Sequence, residues 1–209
     1  MNRRRFTGSI VCFIFATTLF VHAQRVPDKE LASLRQRYFS GSPVSMKIKV
    51  SQIEKGGDTI SIEYGDFYLK GSRFRIDFGD QVIVYDGKWL YTYTAFDSQL
   101  VVEAFDTTSA LRLIYDVISG DLSRFYIRSI EKLKGFRIYR LDYKFREVFY
   151  KDIGLEVNEG SGEVSKVEFK DFDDTLYCLD VLGVSYQEVE ESFFDLSNFR
   201  VKERVDLRN

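Results

Sequence analysis

The chain has 209 residues, of which 30 are Lys or Arg and 32 are Asp or Glu, and its formal net charge is −2 at pH 7. Beyond the first few residues the two signs are interleaved and no basic stripe is available for phosphates, which argues against a nucleic acid partner. With 13 Tyr, 19 Phe and only 2 Pro, the composition favours pleated, half-buried surfaces and therefore a β-rich fold.

The first 23 residues have the three parts of a secretory signal peptide. Residues 3–5 are arginines, residues 10–21 form an apolar stretch, and residues 21–23 form a cleavage site that ends in a small residue. An uncleaved membrane anchor is the alternative, but about twelve apolar residues fall short of the ~20 that a membrane-spanning helix needs. Cys12 lies inside this segment and not at the cleavage point, where a lipid would be attached. We therefore expect a cleaved signal and a soluble mature chain, residues 24–209, in the periplasm.

Cleavage would also remove the only histidine, His22. Cys178 would then be the single cysteine, either a small buried side chain or a reactive thiol, and nothing near it in sequence supplies a base. Removing three arginines from the 30 basic residues leaves 27 against 32 acidic ones, a net charge near −5. No nucleophile and base can be paired in this inventory, so we expect no enzyme and no cofactor.

The carboxylates single out no site either. Zinc and copper sites would lack histidine, and Asp171, Asp173 and Asp174 lack the Gly and Glu of a calcium loop, so a solvated turn is the simpler interpretation. We expect no metal. Glutamates within residues 188–191 are numerous, but no spacing selects a glycosidase pair.

In chain order, the pattern first predicts one amphipathic helix at residues 28–39, which ends before Pro43. Alternating apolar residues then predict strands, with Gly65 as a bulge and Asp86-Gly87 as a type I′ hairpin turn. A second helix, capped by Thr107 or Thr108, would interrupt them, and a charged tail follows Phe193-Phe194. The predicted strands are 44–50, 60–69, 74–78, 82–84, 89–93, 100–104, 125–130, 137–143, 148–157, 164–169 and 176–187.

Large side chains alternate along consecutive predicted strands, and in a twisted sheet they could converge on one concave side. An ordinary core beneath the helices and a ligand cavity are both open interpretations. Alternation defines two faces without showing which one is concave. The candidate cavity residues are Ile60, Ile62, Tyr64, Phe74, Ile76, Phe78, Val82, Val84, Trp89, Tyr91, Tyr93, Leu111 and Ile114.

These features together resemble the LolA-type lipoprotein carriers over nearly the whole mature chain. The signal, the single helix and the hairpin come in that family's order. The segments that carry the resemblance are Gly65-Asp-Phe-Tyr-Leu69, Arg73-Phe-Arg-Ile-Asp-Phe78, Asp86-Gly87-Lys88, Leu90-Tyr91-x-Tyr93, Val148-x-Tyr-x-x-Ile153, Gly162-x-Val-x-Lys-Val167 and the terminal Phe193-Phe194.

The resemblance implies one domain, an antiparallel and incompletely closed β-barrel covered by a few helices, which shields lipoprotein acyl chains as it carries them from the inner to the outer membrane. Its implied partners are acylated lipoproteins, an inner-membrane ABC transporter and an outer-membrane receptor, and we expect a monomer. Each CH₂ exposed to water costs ~0.8 kcal/mol, so a chain of about fifteen costs on the order of 12 kcal/mol and needs such a carrier.

The resemblance also implies a movable lid, which we assign to residues 29–39 and 108–118. In the family an arginine latches the lid through hydrogen bonds to backbone. Here it falls on either Lys70 or Arg73, because Lys70-Gly71-Ser72 replaces the family's basic residue and proline. Two alternatives to a carrier remain: a periplasmic sensor of lipids or lipoproteins, and a structural envelope domain of the same fold.

Overall fold

The computed structural model describes residues 32, 36, 43–144, 149–197 and 199–208. Ala32 and Gln36 are helical and exposed, and the rest of the first predicted helix lies outside the described residues. The helix α1 spans Ala110–Ile118, and two short 3-10 helices span Leu122–Arg124 and Glu191–Phe194. The strands are β1 (Val44–Ile53), β2 (Thr59–Lys70), β3 (Arg73–Asp77), β4 (Gln81–Tyr85), β5 (Trp89–Thr94), β6 (Gln99–Ala104), β7 (Phe125–Leu133), β8 (Phe136–Tyr143), β9 (Lys151–Asn158), β10 (Val164–Lys170), β11 (Leu176–Tyr186) and β12 (Glu203–Asp206).

All twelve strands belong to one sheet, in the order β12-β6-β5-β4-β3-β2-β1-β11-β10-β9-β8-β7. Strands β1 to β6 form one meander and β7 to β11 a second, and the antiparallel pair β1–β11 joins them. Every pairing is antiparallel except β12–β6, which is parallel. The sheet does not close on itself, so the predicted open half-barrel is confirmed.

Helix α1 connects the two ends of the sheet, from β6, which lies next to the edge strand β12, to the edge strand β7. It follows β6, the last strand of the first meander, and precedes β7, which lies at the opposite edge. The chain must therefore cross a face of the sheet, and it does so with Leu113, Val117 and Ile118 buried against that face. We call this helix-covered side the inner face and the other side the outer face.

The two faces carry separate apolar cores. The inner core runs from β1 through both meanders to α1, and its largest fully buried side chains include Phe67, Phe74, Tyr139 and Phe169. The outer core is smaller, lies on β4, β5 and β6, and is covered by Phe194 and Leu196 from the C-terminal segment. We call this segment, residues 187–202 apart from the undescribed Asn198, the C-terminal strap.

The sequence did not predict the strap or β12. The residues expected to form a charged tail cross the outer core and then form the twelfth strand beside β6. Spacing along the strap is irregular, so no helix or strand period marks it. Its conformation depends on apolar contacts with strands that are distant in sequence, and its locally polar composition does not reveal these contacts.

Three local predictions were wrong. Gly65 pairs regularly with Ile48 and is not a bulge. The Asp86-Gly87 turn is not type I′, because that type needs two residues with positive φ and only Gly87 has one, 98°. The Asp86 carboxylate accepts hydrogen bonds from the backbone N–H groups of Lys88 and Trp89. Helix α1 is capped by Ser109, whose Oγ accepts from the Arg112 N–H at 3.1 Å, and not by Thr107 or Thr108.

No helix in this described part of the chain has the length and apolar character needed to cross a membrane.

Candidate functional site

The structure divides the predicted cavity residues between the two faces. Phe74 and Ile76 belong to the inner core, and Phe78 packs against it. Val82, Val84 and Tyr93 belong to the outer core, with Trp89 and Tyr91 packed against them. The predicted residues therefore do not converge on a single surface.

The register of one hairpin explains this division. Gly79 and Asp80 form a two-residue turn in which the Phe78 N–H bonds the Gln81 carbonyl at 2.9 Å, so Ile76 pairs with Ile83. A two-residue turn always pairs an even-numbered residue of one strand with an odd-numbered residue of the other. Side chains at even positions on β3 therefore share a face with side chains at odd positions on β4. On β4 and β5, the inner-face residues missing from the predicted set are Ile83, Tyr85 and Leu90. The length of this turn was the signal that could have identified the two on β4.

Three other candidates are exposed. Ile60, Ile62 and Tyr64 are 53%, 50% and 64% exposed. Phe67 is buried in the inner core, and because no bulge intervenes at Gly65, Ile62 and Tyr64 point to the outer face. The bulge expected at Gly65 would have turned them to the inner face.

On the inner face an aromatic cluster lies beneath α1. The ring of Tyr115 on α1 is 5.2 Å from that of Phe74, and Phe105 lies 4.7 Å from Tyr85. The Tyr115 hydroxyl donates to the Ser72 carbonyl at 3.2 Å, and burial raises the pKa of Tyr115 to about 12. Leu111 and Ile114, the two predicted cavity residues on α1, are half-buried against this core.

A buried ion pair network holds the C-terminal end of α1. The Asp116 carboxylate is fully buried and accepts from Arg112 Nε at 2.8 Å and from Arg124 Nη1 at 3.1 Å. Burial raises the pKa of the Asp116 carboxyl, although both guanidinium groups oppose that change. Since Arg124 directly precedes β7, Asp116 ties the helix to the far edge of the sheet.

The two latch candidates lie on the outer face. Lys70 Nζ donates to the Val189 carbonyl at 2.9 Å, and both Lys70 and Arg73 pair with Glu191 at 2.8 Å and 2.6 Å. They hold the strap, and a role for either in latching a lid over the inner face stays a prediction.

Arg75 also contacts the strap, and no sequence pattern singled it out. Its Nη1 donates to the Phe193 carbonyl at 2.9 Å and its guanidinium lies 4.4 Å from the centre of the Phe193 ring. Among the described residues its buried Nε has no hydrogen-bond partner.

Polar clusters in the described part of the chain have structural partners. The Asp171 carboxylate accepts from the backbone N–H groups of Asp173 and Thr175, and Asp174 pairs with Lys55 and Lys151. No group of three or more His, Cys, Asp or Glu side chains within these residues is arranged to hold a metal ion. Cys178 is buried, and its burial raises the pKa of the thiol, which disfavours the nucleophilic thiolate.

No family model and no curated protein matches the chain in sequence. Solved structures do match its fold. An uncharacterized conserved protein from Thermus thermophilus has 12% identity and a TM-score of 0.54 over 87% of this chain and 98% of its own. A DUF1329 family protein from Desulfovibrio piger has 12% identity and a TM-score of 0.50, covering 82% and 97%. A LolA superfamily protein from Nitrosomonas europaea has 13% identity and a TM-score of 0.47, covering 79% and 96%.

At these identities the likeness concerns the fold alone. The open half-barrel with a helix across its inner face matches the architecture that the sequence resemblance implied.

Proposed function

We propose that this chain is a non-enzymatic periplasmic carrier that binds the acyl chains of lipoproteins on its inner face and moves them from the inner to the outer membrane. The observation that carries this proposal is the position of α1, which crosses an inner face with a large core of aliphatic and aromatic side chains. Such a surface can shelter a hydrocarbon chain without holding it through strong polar contacts.

The close packing beneath α1 sets a condition on this mechanism. Phe74 and Leu113 are at most 1% exposed, so an acyl chain can enter this part of the inner face only if α1 moves away. The exposed acyl chain would then replace the apolar contacts that α1 loses, and the cost of opening would be largely offset. On this view α1 is part of the lid.

A structural envelope domain is the second candidate, and the same close packing favours it. An inner face that stays filled would bind nothing. The two functions differ in whether α1 yields to an acyl chain.

The test is extraction of an acylated lipoprotein from inner-membrane vesicles by the purified mature chain. A carrier releases the acylated cargo into the soluble fraction as a complex, whereas the same cargo with its lipid-bearing cysteine replaced by serine is not retained. If the chain is folded by circular dichroism and leaves the acylated cargo in the membrane, the carrier proposal fails. Transfer from the soluble complex to outer-membrane vesicles would then test the direction of transport.

A further inference from the structure

The outer face contains a cavity that the carrier function does not use. It has a volume of about 640 Å³ and lies between the strap and strands β5, β6 and β12. Ligand pockets in proteins typically measure about 300–1,000 Å³. Its apolar lining is formed by Tyr91, Leu100, Phe194, Leu196, Phe199 and Val201.

Three carboxylates also border this cavity, and each is already engaged. Asp86 accepts from two backbone N–H groups and from the Tyr91 hydroxyl at 3.0 Å. Glu191 pairs with Lys70 and Arg73, and Asp195 accepts from the backbone N–H and the hydroxyl of Ser197.

Arg204 is the cavity cation without a direct side-chain partner among the described residues, although its charge acts on Asp206, two residues further along β12. It lies on β12 beside Leu100 of β6, and within the described ranges its side chain makes no hydrogen bond or ion pair. The other bordering cation, Arg73, is paired with Glu191 at 2.6 Å. The lining is mixed, because the polar side chains of Arg73, Asp86, Glu191, Asp195, Ser197 and Arg204 border the same space as the apolar ones. One unpaired guanidinium beside the apolar part of such a cavity is complementary to a ligand with one anionic head and one hydrocarbon tail.

We propose that this outer cavity binds a fatty carboxylate, with the head group on Arg204 and the chain against Tyr91, Leu100 and Phe199. A polyanion would meet three neighbouring carboxylates and only one free cation, which disfavours nucleotides and multiply phosphorylated ligands. The site is on the opposite side of the sheet from the proposed acyl-chain surface, so the two can be occupied independently.

The chain has a single tryptophan, which provides a local reporter. Trp89 packs against the outer core, two residues from Tyr91 on the same face of β5 and therefore about 7 Å along the strand. A dibrominated fatty acid, kept below its critical micelle concentration, quenches indole fluorescence only at short range. Saturable quenching of Trp89 is the expected result.

Arg204→Gln should weaken the apparent affinity of this acid about tenfold, because it removes one charge-assisted hydrogen bond. The methyl ester of the same acid should bind weakly and be insensitive to this substitution. Arg200→Gln is the matched control: Arg200 is exposed, belongs to the strap and does not line the cavity, so the affinity should be unchanged.

Absence of saturable quenching, or equal binding of the acid to the native chain and the Arg204→Gln variant, would overturn the proposal. Lipoprotein extraction by Arg204→Gln should equal that of the native chain. A failure of the outer cavity and a failure of the carrier function are therefore separately observed.

Discussion

Gly65 has a packing role that only the folded chain reveals. A Cβ at this position would lie 2.6 Å from the Asp77 carbonyl oxygen and 2.7 Å from Cδ1 of Phe78. Because the first of these atoms is backbone, a rotamer change cannot relieve both contacts. The Phe78 ring covers the glycine and closes the inner core at the turn between β3 and β4.

We predict that Gly65→Ala lowers the free energy of unfolding by about 1–3 kcal/mol, the usual cost of overpacking. Gly183→Ala is the control, since Gly183 also lies in a strand beside β1 but a methyl group added there would have no other atom within 4 Å. Its unfolding free energy should change by less than about 0.5 kcal/mol. Urea denaturation measures both, and equal effects at the two glycines would contradict this role of Gly65.

Asp116 is the second residue whose substitution should have a large effect. Asp116→Ala leaves Arg112 and Arg124 without their shared carboxylate, and breaking such a buried network costs about 3 kcal/mol. The exposed pair Arg128–Asp142, at 3.5 Å, is the control, and Asp142→Ala should cost less than about 1 kcal/mol. Thermal denaturation that ranks the two variants equally would show that Asp116 does not hold α1.

At the scale of elements, the strap is held by side-chain contacts and not by strand pairing, so it should be released more easily than the strands that it covers. Arg75→Met removes the hydrogen bond to the Phe193 carbonyl and the contact with its ring. A hydrogen bond to a charged group contributes about 1.5–3 kcal/mol, so amide exchange over residues 189–197 should accelerate at least about tenfold.

Amide exchange in β1 and β11 should not change in this variant, because these strands contribute to the inner core and Arg75 contacts the strap on the outer face. Arg128→Met is the matched substitution of a half-exposed arginine elsewhere. If it accelerates strap exchange as much as Arg75→Met does, Arg75 is not the residue that holds the strap.

The elements differ in how well the sequence predicts them. Strands of the two meanders were predictable because alternation and short turns are local properties, and neighbouring strands in sequence are neighbours in the sheet. Which side chains of a strand face the inner core depends on the length of the preceding turn. After Gly79-Asp80 the inner-face positions change from even to odd residue numbers. The strap has no period at all, so the contacts of Arg75 and the outer cavity could not be anticipated.

At the scale of the whole molecule, acid should destabilise the fold through several carboxyls at once. Hydrogen bonds from Lys151 and Lys55 lower the pKa of Asp174 to about 2, and a hydrogen bond from Arg208 lowers the pKa of Asp206 to about 2. Hydrogen bonds from Lys70 and Arg73 also lower the pKa of Glu191.

A carboxyl whose pKa is lower in the folded chain stabilises the fold above its unfolded pKa, and this stability is lost as pH falls through the folded value. We therefore expect Tm to be nearly constant above about pH 5 and to fall between about pH 4.5 and about pH 2. Asp174→Asn should lower Tm at neutral pH, and the difference should be much smaller near pH 2, where Asp174 of the native chain is about half protonated. A difference at pH 2 as large as the one at neutral pH would mean that the carboxylate charge is not its cause.

The attachment of α1 at both ends of the half-barrel limits how the lid can open. Its N-terminus follows β6, which lies next to the edge strand β12, and Asp116 ties its other end to Arg124 beside β7 at the opposite edge. The helix can therefore lift or shift across the inner face but cannot swing away from one end without breaking the Asp116 network.

If an acyl chain enters beneath α1, amides in Ala110–Ile118 should exchange faster in the cargo complex than in the free chain. The β1–β11 pairs that join the meanders should keep their protection. Hydrogen exchange with acylated and non-acylated cargo measures this directly, and a complex that leaves α1 fully protected would place the acyl chain somewhere other than beneath this helix.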